Sequence, residues 1–362
     1  MRGTQIEIRP SALAHNAEIA RHYAGDSELF AMVKANAYGH GIDVAWRAFS
    51  PFVDGFGVAV CDEAQQLRTL GCNQPIMVAE GFFDAQEWQL SQNLDAEWVI
   101  HSAWQIDHII ASPHPAAVWI KVNTGMNRLG LPVTEVNPAV SALRAAGIEV
   151  RGLMTHFANA DEPEDTTSAG QLAVIESMAR ELSLPLSCSN SAASLRYPDS
   201  IHQRIRPGIM LYGSSPFADR SAADFKLAVS HRFSARVIAL NRINCGDRVG
   251  YGGTWIADSP RLIAVVAVGY GDGYPRHAPS GTPVAINGQR VPLVGRVSMD
   301  LITIDVTDVQ ASIGDEVELW GDRVGVDEVA RHCGTISYEL FCQVTSRPER
   351  IIAPIKRSSL NG

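Results

Sequence analysis

A lysine directly after a short apolar run is the strongest candidate for covalent chemistry in this chain. Residues 29–33 are apolar, and Lys34 follows them at once. Burial of the lysine stem at the end of such a run favours the neutral amine, which attacks aldehydes. The position also suits a lysine that extends its ammonium group into solvent, and Lys34 alone does not decide between the two. The loop 35–41, which includes Tyr38, is polar and slim enough to lie beside a ligand.

Ser191 and Gly208 are of the types that bind a phosphate group. A hydroxyl and backbone N–H groups that are approached closely over glycine can hold a dianion without a lysine. A plain turn after Pro207 would use a glycine as well. Arg206 lies in the strand-like run 205–210 and has to be paired or functional, because an unpaired buried charge is costly.

Three further residues have weaker individual cases. His156 suits a hydrogen-bonded core histidine or a catalytic one, and Tyr251 lies in a glycine-rich loop where it suits a turn aromatic or an acid/base. Met299 is more typical of packing than of chemistry. The 11 histidines show no HExxH pattern and no paired ligand spacing, so no metal site is expected.

Apolar segments that alternate with helical patterns must position these residues. The segments are residues 29–33, 56–60, 76–79, 97–100, 118–122, 149–154, 186–189 and 205–209. Short apolar runs are typical of parallel strands buried on both faces. Eight such units predict a (β/α)8 barrel of the TIM type, with a doubly wound open sheet as the alternative. Lys34, Lys121, His156, Ser191 and Arg206 then fall at the carboxyl ends of strands, where barrel enzymes carry their chemistry.

The pattern changes after about residue 228. Asn287-Gly288 predicts a tight hairpin turn between two apolar stretches, and a short helix is predicted at 326–332. We therefore divide the chain into a barrel domain, residues 1–228, and a mostly β domain, residues 229–362. The strand-like segments of the second domain are residues 233–240, 262–268, 283–294, 301–306 and 316–320.

Composition excludes several classes of function. A net charge of −9 and a pI near 5.7 give no electrostatic reason to bind nucleic acid or anionic lipid. The N-terminal residues lack the apolar core of a signal peptide, and the longest apolar runs are too short to span a bilayer. Six cysteines without CxxC spacing are typical of free thiols, so we expect a cytoplasmic protein.

The segment 33–41, VKANAYGHG, resembles the cofactor-lysine signature of alanine racemases. Further blocks resemble that family in the same order along nearly the whole chain. They are residues 121–130, 156–157, 190–193, 206–209, 250–253, 269–270, 298–300 and 337–340. The resemblance implies a barrel followed by a β domain, pyridoxal 5′-phosphate as cofactor, interconversion of L-alanine and D-alanine, and a head-to-tail homodimer.

By this resemblance, two bases act on opposite faces of the substrate. Lys34 would hold the cofactor as a Schiff base and serve the D-isomer face, while Tyr251 of the partner subunit would serve the L-isomer face. His156 would lie between Tyr251 and Arg206 in a hydrogen-bonded row. Arg206 would face the pyridine nitrogen without protonating it, because the pKa of an arginine stays above about 12.

The remaining implied roles concern binding. The phosphate would be held by Tyr38, Ser191, Gly208, Ile209 and Tyr338. Arg128 would contact the substrate carboxylate, oriented by Lys121, which is often carbamylated in the family. Met299 of the partner subunit would hold that carboxylate through its backbone, and Tyr270 and Arg276 would line the entrance.

Two departures and three alternatives qualify the resemblance. Some members have histidine where this chain has Ser187, and residues 346–350 match the family only loosely. A racemase of broader substrate range is one alternative, and a decarboxylase of basic amino acids on the same architecture is a second. The third is a non-enzymatic pyridoxal-phosphate-binding protein, which would have a single barrel and no β domain.

Overall fold

The computed structural model describes residues 2–113 and 116–354, which form two compact units. The barrel unit comprises residues 13–211 and 215–227. The β unit comprises residues 2–12, 212–214 and 228–354. In the described ranges, no helix combines the length and the apolar character needed to cross a bilayer.

The chain starts with strand β1 (Gln5–Ile8) of the β unit and continues into the barrel. Among the described residues, eight parallel strands close into this barrel. They are β2 (Glu28–Met32), β3 (Gly55–Val58), β4 (Ile76–Val78), β5 (Ala96–Ile100), β6 (Ala117–Lys121), β7 (Glu149–Met154), β8 (Leu186–Ser187) and β9 (Arg204–Ile205). Each predicted segment overlaps one of them, so the predicted (β/α)8 barrel is confirmed. Pairing of β2 with β9 closes the sheet and excludes the open alternative.

Helices connect the barrel strands, as the amphipathic stretches between the apolar runs predict. In α3 (Ile42–Phe49), the buried residues Ile42, Ala45 and Phe49 recur at helical spacing and form one face. The others are α1 (Pro10–Ala24), α4 (Cys61–Thr69), α5 (Ala85–Leu90), α6 (Ala103–Ala111), α7 (Val133–Ala145), α8 (Ser168–Leu182) and α9 (Ser191–Arg196), with α2 (Lys34–Tyr38) a single left-handed turn.

Large side chains fill the barrel interior where glycines on neighbouring strands leave room. A β-carbon on Gly55 would lie 2.5 Å from the Phe30 ring, and one on Gly152 would lie 2.5 Å from the Trp119 ring. Both aromatic side chains are buried. Glycines on β3 and β7 therefore set the positions of aromatic residues on β2 and β6, in keeping with the layered packing of barrel cores.

The β unit is built on a mostly antiparallel sheet. Its further strands and helices are β10 (His231–Ile243), β11 (Arg248–Val249), β12 (Trp255–Ile256), β13 (Arg261–Val266), β14 (Pro283–Ile286), β15 (Gln289–Pro292), β16 (Ile302–Asp305), β17 (Glu316–Trp320), β18 (Glu349–Ile352), α10 (Val326–His332) and α11 (Ser337–Cys342). The long strand β10 pairs with β1, β13 and β17. Asn287 and Gly288, with φ of 51° and 78°, form the predicted turn between β14 and β15.

The N-terminal strand differs from the predicted division into residues 1–228 and 229–362. Residue Ile6 of β1 lies opposite Phe233 of β10 on one side and opposite Arg350 of β18 on the other. Buried Ile6 and Ile8 alternate with half-buried Gln5 and Glu7, which is the period of a strand. Residues 2–12 therefore group with the β unit, because their hydrogen bonds go to its sheet.

Candidate active site

The carboxyl ends of the barrel strands carry the polar residues that the sequence predicts as functional. Lys34 follows β2 after one residue, Lys121 is the last residue of β6, and His156 follows β7 by two positions. Ser191 begins α9 shortly after β8, and Arg206 directly follows β9. Because these strands run in one direction, the five side chains start from the same end of the barrel.

The backbone after Lys34 makes a left-handed turn. Residues 35–38 have φ of 53°, 52°, 54° and 50°, a conformation that costs residues with a side chain free energy. The carboxylate of Glu63 stabilises the turn by accepting hydrogen bonds from Ala35 N at 2.6 Å and from Ala59 N at 2.8 Å. Strain of this kind clusters at ligand sites. The turn leaves Lys34 half-buried and buries Tyr38.

Ser191, Gly208 and Tyr38 meet in a narrow cradle. Ser191 Oγ accepts hydrogen bonds from Gly208 N at 2.8 Å and from Met210 N at 3.4 Å. A β-carbon on Gly208 would lie 2.4 Å from the Tyr38 hydroxyl oxygen, so a side chain does not fit there. The predicted phosphate ligand Ile209 is fully buried between Gly208 and Met210. Hydroxyl and backbone N–H groups at this density are suited to a phosphate group.

Arg206 is a buried cation held by hydroxyl and carbonyl oxygens. Its Nε donates to Ser187 Oγ at 2.9 Å, and its Nη2 donates to the carbonyl oxygens of Thr155 at 2.6 Å and Cys188 at 3.2 Å. Burial, helped by the charge of Arg204, lowers the pKa of Arg206 from 12.5 to about 10. The expected pKa above about 12 is therefore wrong, although the guanidinium still stays protonated at neutral pH.

His156 lies among cations and amide groups. Burial and the charges of Arg206 and Lys121 hold the pKa of His156 well below its usual range, so its imidazole is neutral at pH 7. Its Nε2 lies 3.4 Å from Asn190 Nδ2, and its carbonyl oxygen accepts a hydrogen bond from Gln171 Nε2 at 3.2 Å. The charge of Arg206 therefore acts on this ring, while the hydrogen-bonded row of Tyr251, His156 and Arg206 stays a prediction.

Lys121 and Arg128 line a small cleft at the end of β6, together with His156. Lys121 is buried, whereas Arg128 is exposed. Burial and then the charges of Arg206 and Arg128 lower the pKa of Lys121 from 10.5 to about 8. A large fraction of this amine is therefore neutral at mildly alkaline pH, unlike an ordinary lysine.

The predicted residues of the β unit lie mostly on exposed loops. The exposed fraction is 68% for Tyr251, 53% for Met299 and 38% for Tyr270, while Arg276 is exposed and Tyr338 in α11 is half-buried. Gly271 N donates to Met299 O at 2.8 Å, which joins the Tyr270 loop to the Met299 loop. A β-carbon on Gly250 would lie 3.2 Å from Arg296 N, so the Tyr251 loop passes close to residue 296. The fold thus gathers segments that are far apart in sequence.

An ionic cluster fixes two of these loops. Asp272, with a side chain 1% exposed, pairs with Arg2 Nη1 at 2.9 Å and with Arg347 Nε at 3.5 Å. Arg347 Nη2 also pairs with Asp300 Oδ1 at 2.7 Å. Because the two aspartates belong to the Tyr270 and Met299 loops, arginines near both ends of the described chain hold these loops in place.

Some supporting residues were not predicted as functional. In the sequence, Glu63 is an ordinary helix residue. Only its hydrogen bond with Ala35 N in the structure shows that it stabilises the left-handed turn. Gln171 Nε2 donates to Thr124 Oγ1 at 3.1 Å as well as to His156. Neither residue has a local signal, because each acts on a segment that is remote in the chain.

Family comparisons cover nearly the whole chain. The model described as "Alanine racemase, N-terminal domain" matches residues 8–216, and that described as "Alanine racemase, C-terminal domain" matches residues 230–352. The alanine racemase of Alcanivorax borkumensis is 61% identical over 97% of this chain and 100% of that protein. The alanine racemase of Legionella pneumophila (strain Corby) is 44% identical over 96% of this chain and 98% of that protein.

Solved structures agree with the sequence matches. The alanine racemase from Acinetobacter baumannii has a TM-score of 0.94 at 41% identity, covering 98% of this chain and 100% of that one. The biosynthetic alanine racemase from Pseudomonas aeruginosa has a TM-score of 0.93 at 43% identity, with the same coverage of 98% and 100%. Sequence and fold therefore lead to one conclusion: this chain belongs to the alanine racemase family.

Proposed function

We propose that this chain interconverts L-alanine and D-alanine with pyridoxal 5′-phosphate, using Lys34 and Tyr251 of the partner subunit as the two acid/base groups. One observation at the barrel mouth carries the proposal. Lys34, Arg206 and the Ser191–Gly208 cradle all follow the carboxyl ends of barrel strands. The name of the Alcanivorax borkumensis relative, 61% identical, supports alanine as the substrate.

The residues at the mouth fit this cofactor. The hydroxyl and N–H groups of the cradle suit its phosphate, and Gly208 lets the backbone come close. The Lys34 amine suits its aldehyde. The Arg206 guanidinium can donate a hydrogen bond to an unprotonated ring nitrogen. When bound, the cofactor withdraws electrons from the amino acid and makes its Cα proton acidic.

Racemisation needs a proton removed from one face of Cα and returned to the other. The Lys34 amine would accept or return the proton on the D-isomer face, and the Tyr251 oxygen would do so on the L-isomer face. His156 is neutral because burial and neighbouring cations lower its pKa, so it can accept one hydrogen bond and donate another. Arg206, with a pKa of about 10, would donate to the ring nitrogen without protonating it. This limits electron withdrawal and side reactions such as transamination.

Replacing Gly208 with alanine is expected to weaken binding of pyridoxal phosphate while the barrel still folds. The new β-carbon would lie 2.4 Å from the Tyr38 hydroxyl oxygen and push it out of the cradle. Overpacking of about 1–3 kcal/mol corresponds to roughly a tenfold to hundredfold rise in the dissociation constant, measured by titrating apo-protein. Gly170→Ala is the matched control, because a β-carbon there meets no atom within 4 Å. Equal affinities in the two variants would contradict the phosphate assignment.

Lys121 is expected to carry a carbamate in bicarbonate buffer near pH 8. Carbamylation adds CO2 to a neutral amine, and the lowered pKa of Lys121, about 8, leaves much of the amine in that form. Arg128 lines the same cleft and would pair with the resulting negative charge. Carbon-13 bicarbonate should give a carbamate NMR signal that Lys121→Ala removes and Lys226→Ala retains. A signal that survives in Lys121→Ala would assign the modification elsewhere.

The proposal includes a homodimer with shared active sites, and neither nucleic acid nor a membrane as partner. The exposed Tyr251, Met299 and Tyr270 support the dimer, since clustered exposed apolar side chains are typical of an interface. All six cysteines lie in the described ranges and none of them forms a disulfide, which supports a reducing compartment such as the cytoplasm. The similarity to the biosynthetic alanine racemase of Pseudomonas aeruginosa supports a role in D-alanine supply.

A D-alanine assay on the purified protein tests the function. We expect conversion in both directions, lost when pyridoxal phosphate is removed and restored when it is added. Similar kcat/KM values for many amino acids would indicate a racemase of broader range. Release of CO2 from lysine or ornithine would indicate a decarboxylase, and cofactor binding without turnover would indicate a non-enzymatic binding protein.

A further inference from the structure

Arg204 is a buried arginine inside the barrel that the proposed reaction does not use. Its side chain is 4% exposed, and its guanidinium carbon lies 3.6 Å from the centre of the Phe30 ring and 4.6 Å from that of the Trp119 ring. Arg204 Nη2 pairs with Glu28 Oε2 at 2.7 Å, and its Nη1 forms a second ion pair with Glu97. Side chains from β2, β5 and β6 therefore contact the Arg204 side chain, which extends from β9 into the barrel.

Glu97 accepts hydrogen bonds at both of its carboxylate oxygens. Its Oε2 accepts a hydrogen bond from Trp119 Nε1 at 2.7 Å, and its Oε1 accepts one from Arg204 Nη2 at 3.2 Å. Desolvation makes so deeply buried an ion pair costly, and apolar residues of similar size are often as stable. Stability alone is therefore a poor reason for a charged pair at this position.

Arg204 is connected to Arg206 through the strand and through one hydroxyl group. Residues two apart in a strand share a face, which places Arg204 about 6–7 Å deeper in the barrel than Arg206. Ser187 Oγ donates to the Arg204 carbonyl oxygen at 3.1 Å and accepts from Arg206 Nε at 2.9 Å. Strand β9 has only two residues, and the ion pairs of the Arg204 side chain add to its few ladder bonds.

The charge of Arg204 also bears on Arg206. Arg204 lowers the pKa of Arg206, because two positive charges at this separation disfavour each other. Glu28 and Glu97 offset the charge of Arg204. Loss of either carboxylate would leave Arg204 with a single carboxylate partner, two residues from Arg206.

We propose that Arg204, locked by Glu97 and Glu28, is a positioning residue that sets the depth and orientation of the Arg206 guanidinium in the barrel mouth. The inference rests on the proposed function, in which Arg206 faces the ring nitrogen of the cofactor. Positioning matters there because a displacement of about 1 Å can cost on the order of a hundredfold in rate.

Glu97→Gln tests the inference in the enzyme loaded with pyridoxal phosphate. Glutamine keeps the size and one carbonyl oxygen for Trp119, but it removes one of the two negative charges that lock Arg204. We expect kcat to fall roughly tenfold to a hundredfold, with KM for alanine changed less than about twofold. The visible absorption maximum of the bound cofactor should also shift, which a purely structural role would not cause.

Two further variants keep the test decisive. Arg204→Met combined with Glu97→Leu removes both charges, so that neither is buried alone, and it should give the same changes as Glu97→Gln. Arg68→Met is the control. Arg68 binds the carbonyl oxygens of Leu94 at 2.9 Å and Cys72 at 2.7 Å, so its loss should lower the melting temperature without altering kcat, KM or absorption.

The outcomes separate this inference from the proposed function. If the wild-type enzyme is active, two results would show that Arg204 serves stability alone. Either the variants keep the wild-type kcat and absorption maximum, or neither Glu97→Gln nor the double variant folds. A wild-type chain that neither binds the cofactor nor racemises alanine would overturn the proposed function and this inference together.

Discussion

Lys34→Ala is expected to lower the rate of alanine racemisation by roughly ten-thousand-fold or more and to abolish covalent attachment of the cofactor. This substitution removes both proposed roles of the Lys34 side chain, which are covalent attachment of the cofactor and transfer of the Cα proton. The proposed phosphate cradle at Ser191 and Gly208 should persist, so cofactor affinity should fall far less than the rate. Borohydride reduction followed by peptide mapping would detect the attachment, and the D-alanine assay would give the rate.

The control for Lys34→Ala is a second lysine of the barrel unit. Lys226 is exposed, and Lys226→Ala should leave both readouts unchanged. Lys121 is the informative competitor, because its pKa of about 8 leaves much of its amine neutral near pH 8. Reduction that labels Lys121 in the wild-type chain, or an active Lys34→Ala variant, would contradict the assignment of Lys34.

The barrel strands could be predicted from sequence because burial on both faces leaves a local signature. The segment 149–154 was predicted with the bounds of β7 (Glu149–Met154), and every other barrel strand overlaps its predicted run. Strand β1 left no such signature. Its four residues pair with β10 and β18, and Ile8 lies opposite His231 and Ile352. Pairing over such distances is a property of the folded chain rather than of a short segment.

The candidate site likewise has features that the sequence predicts and features that it does not. Lys34 could be singled out because it follows an apolar run, and Arg206 because it is a charged residue within the strand-like run 205–210. The left-handed turn at 35–38 could not, since alanine and tyrosine seldom adopt positive φ, and Glu63, which stabilises it, comes 28 residues after Ala35. The lowered pKa of Lys121 likewise depends on burial and on Arg206, which comes from another strand.

Tyr251→Phe is expected to affect the two enantiomers unequally. Loss of the hydroxyl removes the proposed acid/base from the L-isomer face, whereas Lys34 remains on the other face. Exchange of the α-proton of L-alanine for deuterium should fall about a hundredfold to ten-thousand-fold, while exchange from D-alanine stays measurable by NMR in D2O. Tyr23→Phe, a change on α1 outside the mouth, should leave both rates unchanged. Equal losses for both enantiomers would contradict the two-base scheme.

Mixing the two inactive variants is expected to restore activity, because the bases would come from different subunits. If each site takes Lys34 from one chain and Tyr251 from the other, a dimer of one Lys34→Ala chain and one Tyr251→Phe chain has one intact site. Refolding an equal mixture should make about half of the dimers hybrid and return about a quarter of the wild-type rate. If both bases came from one chain, every hybrid site would lack a base and the mixture would stay inactive. The 68% exposure of Tyr251 favours restoration, since an acid/base in a site that excludes water needs cover from other residues.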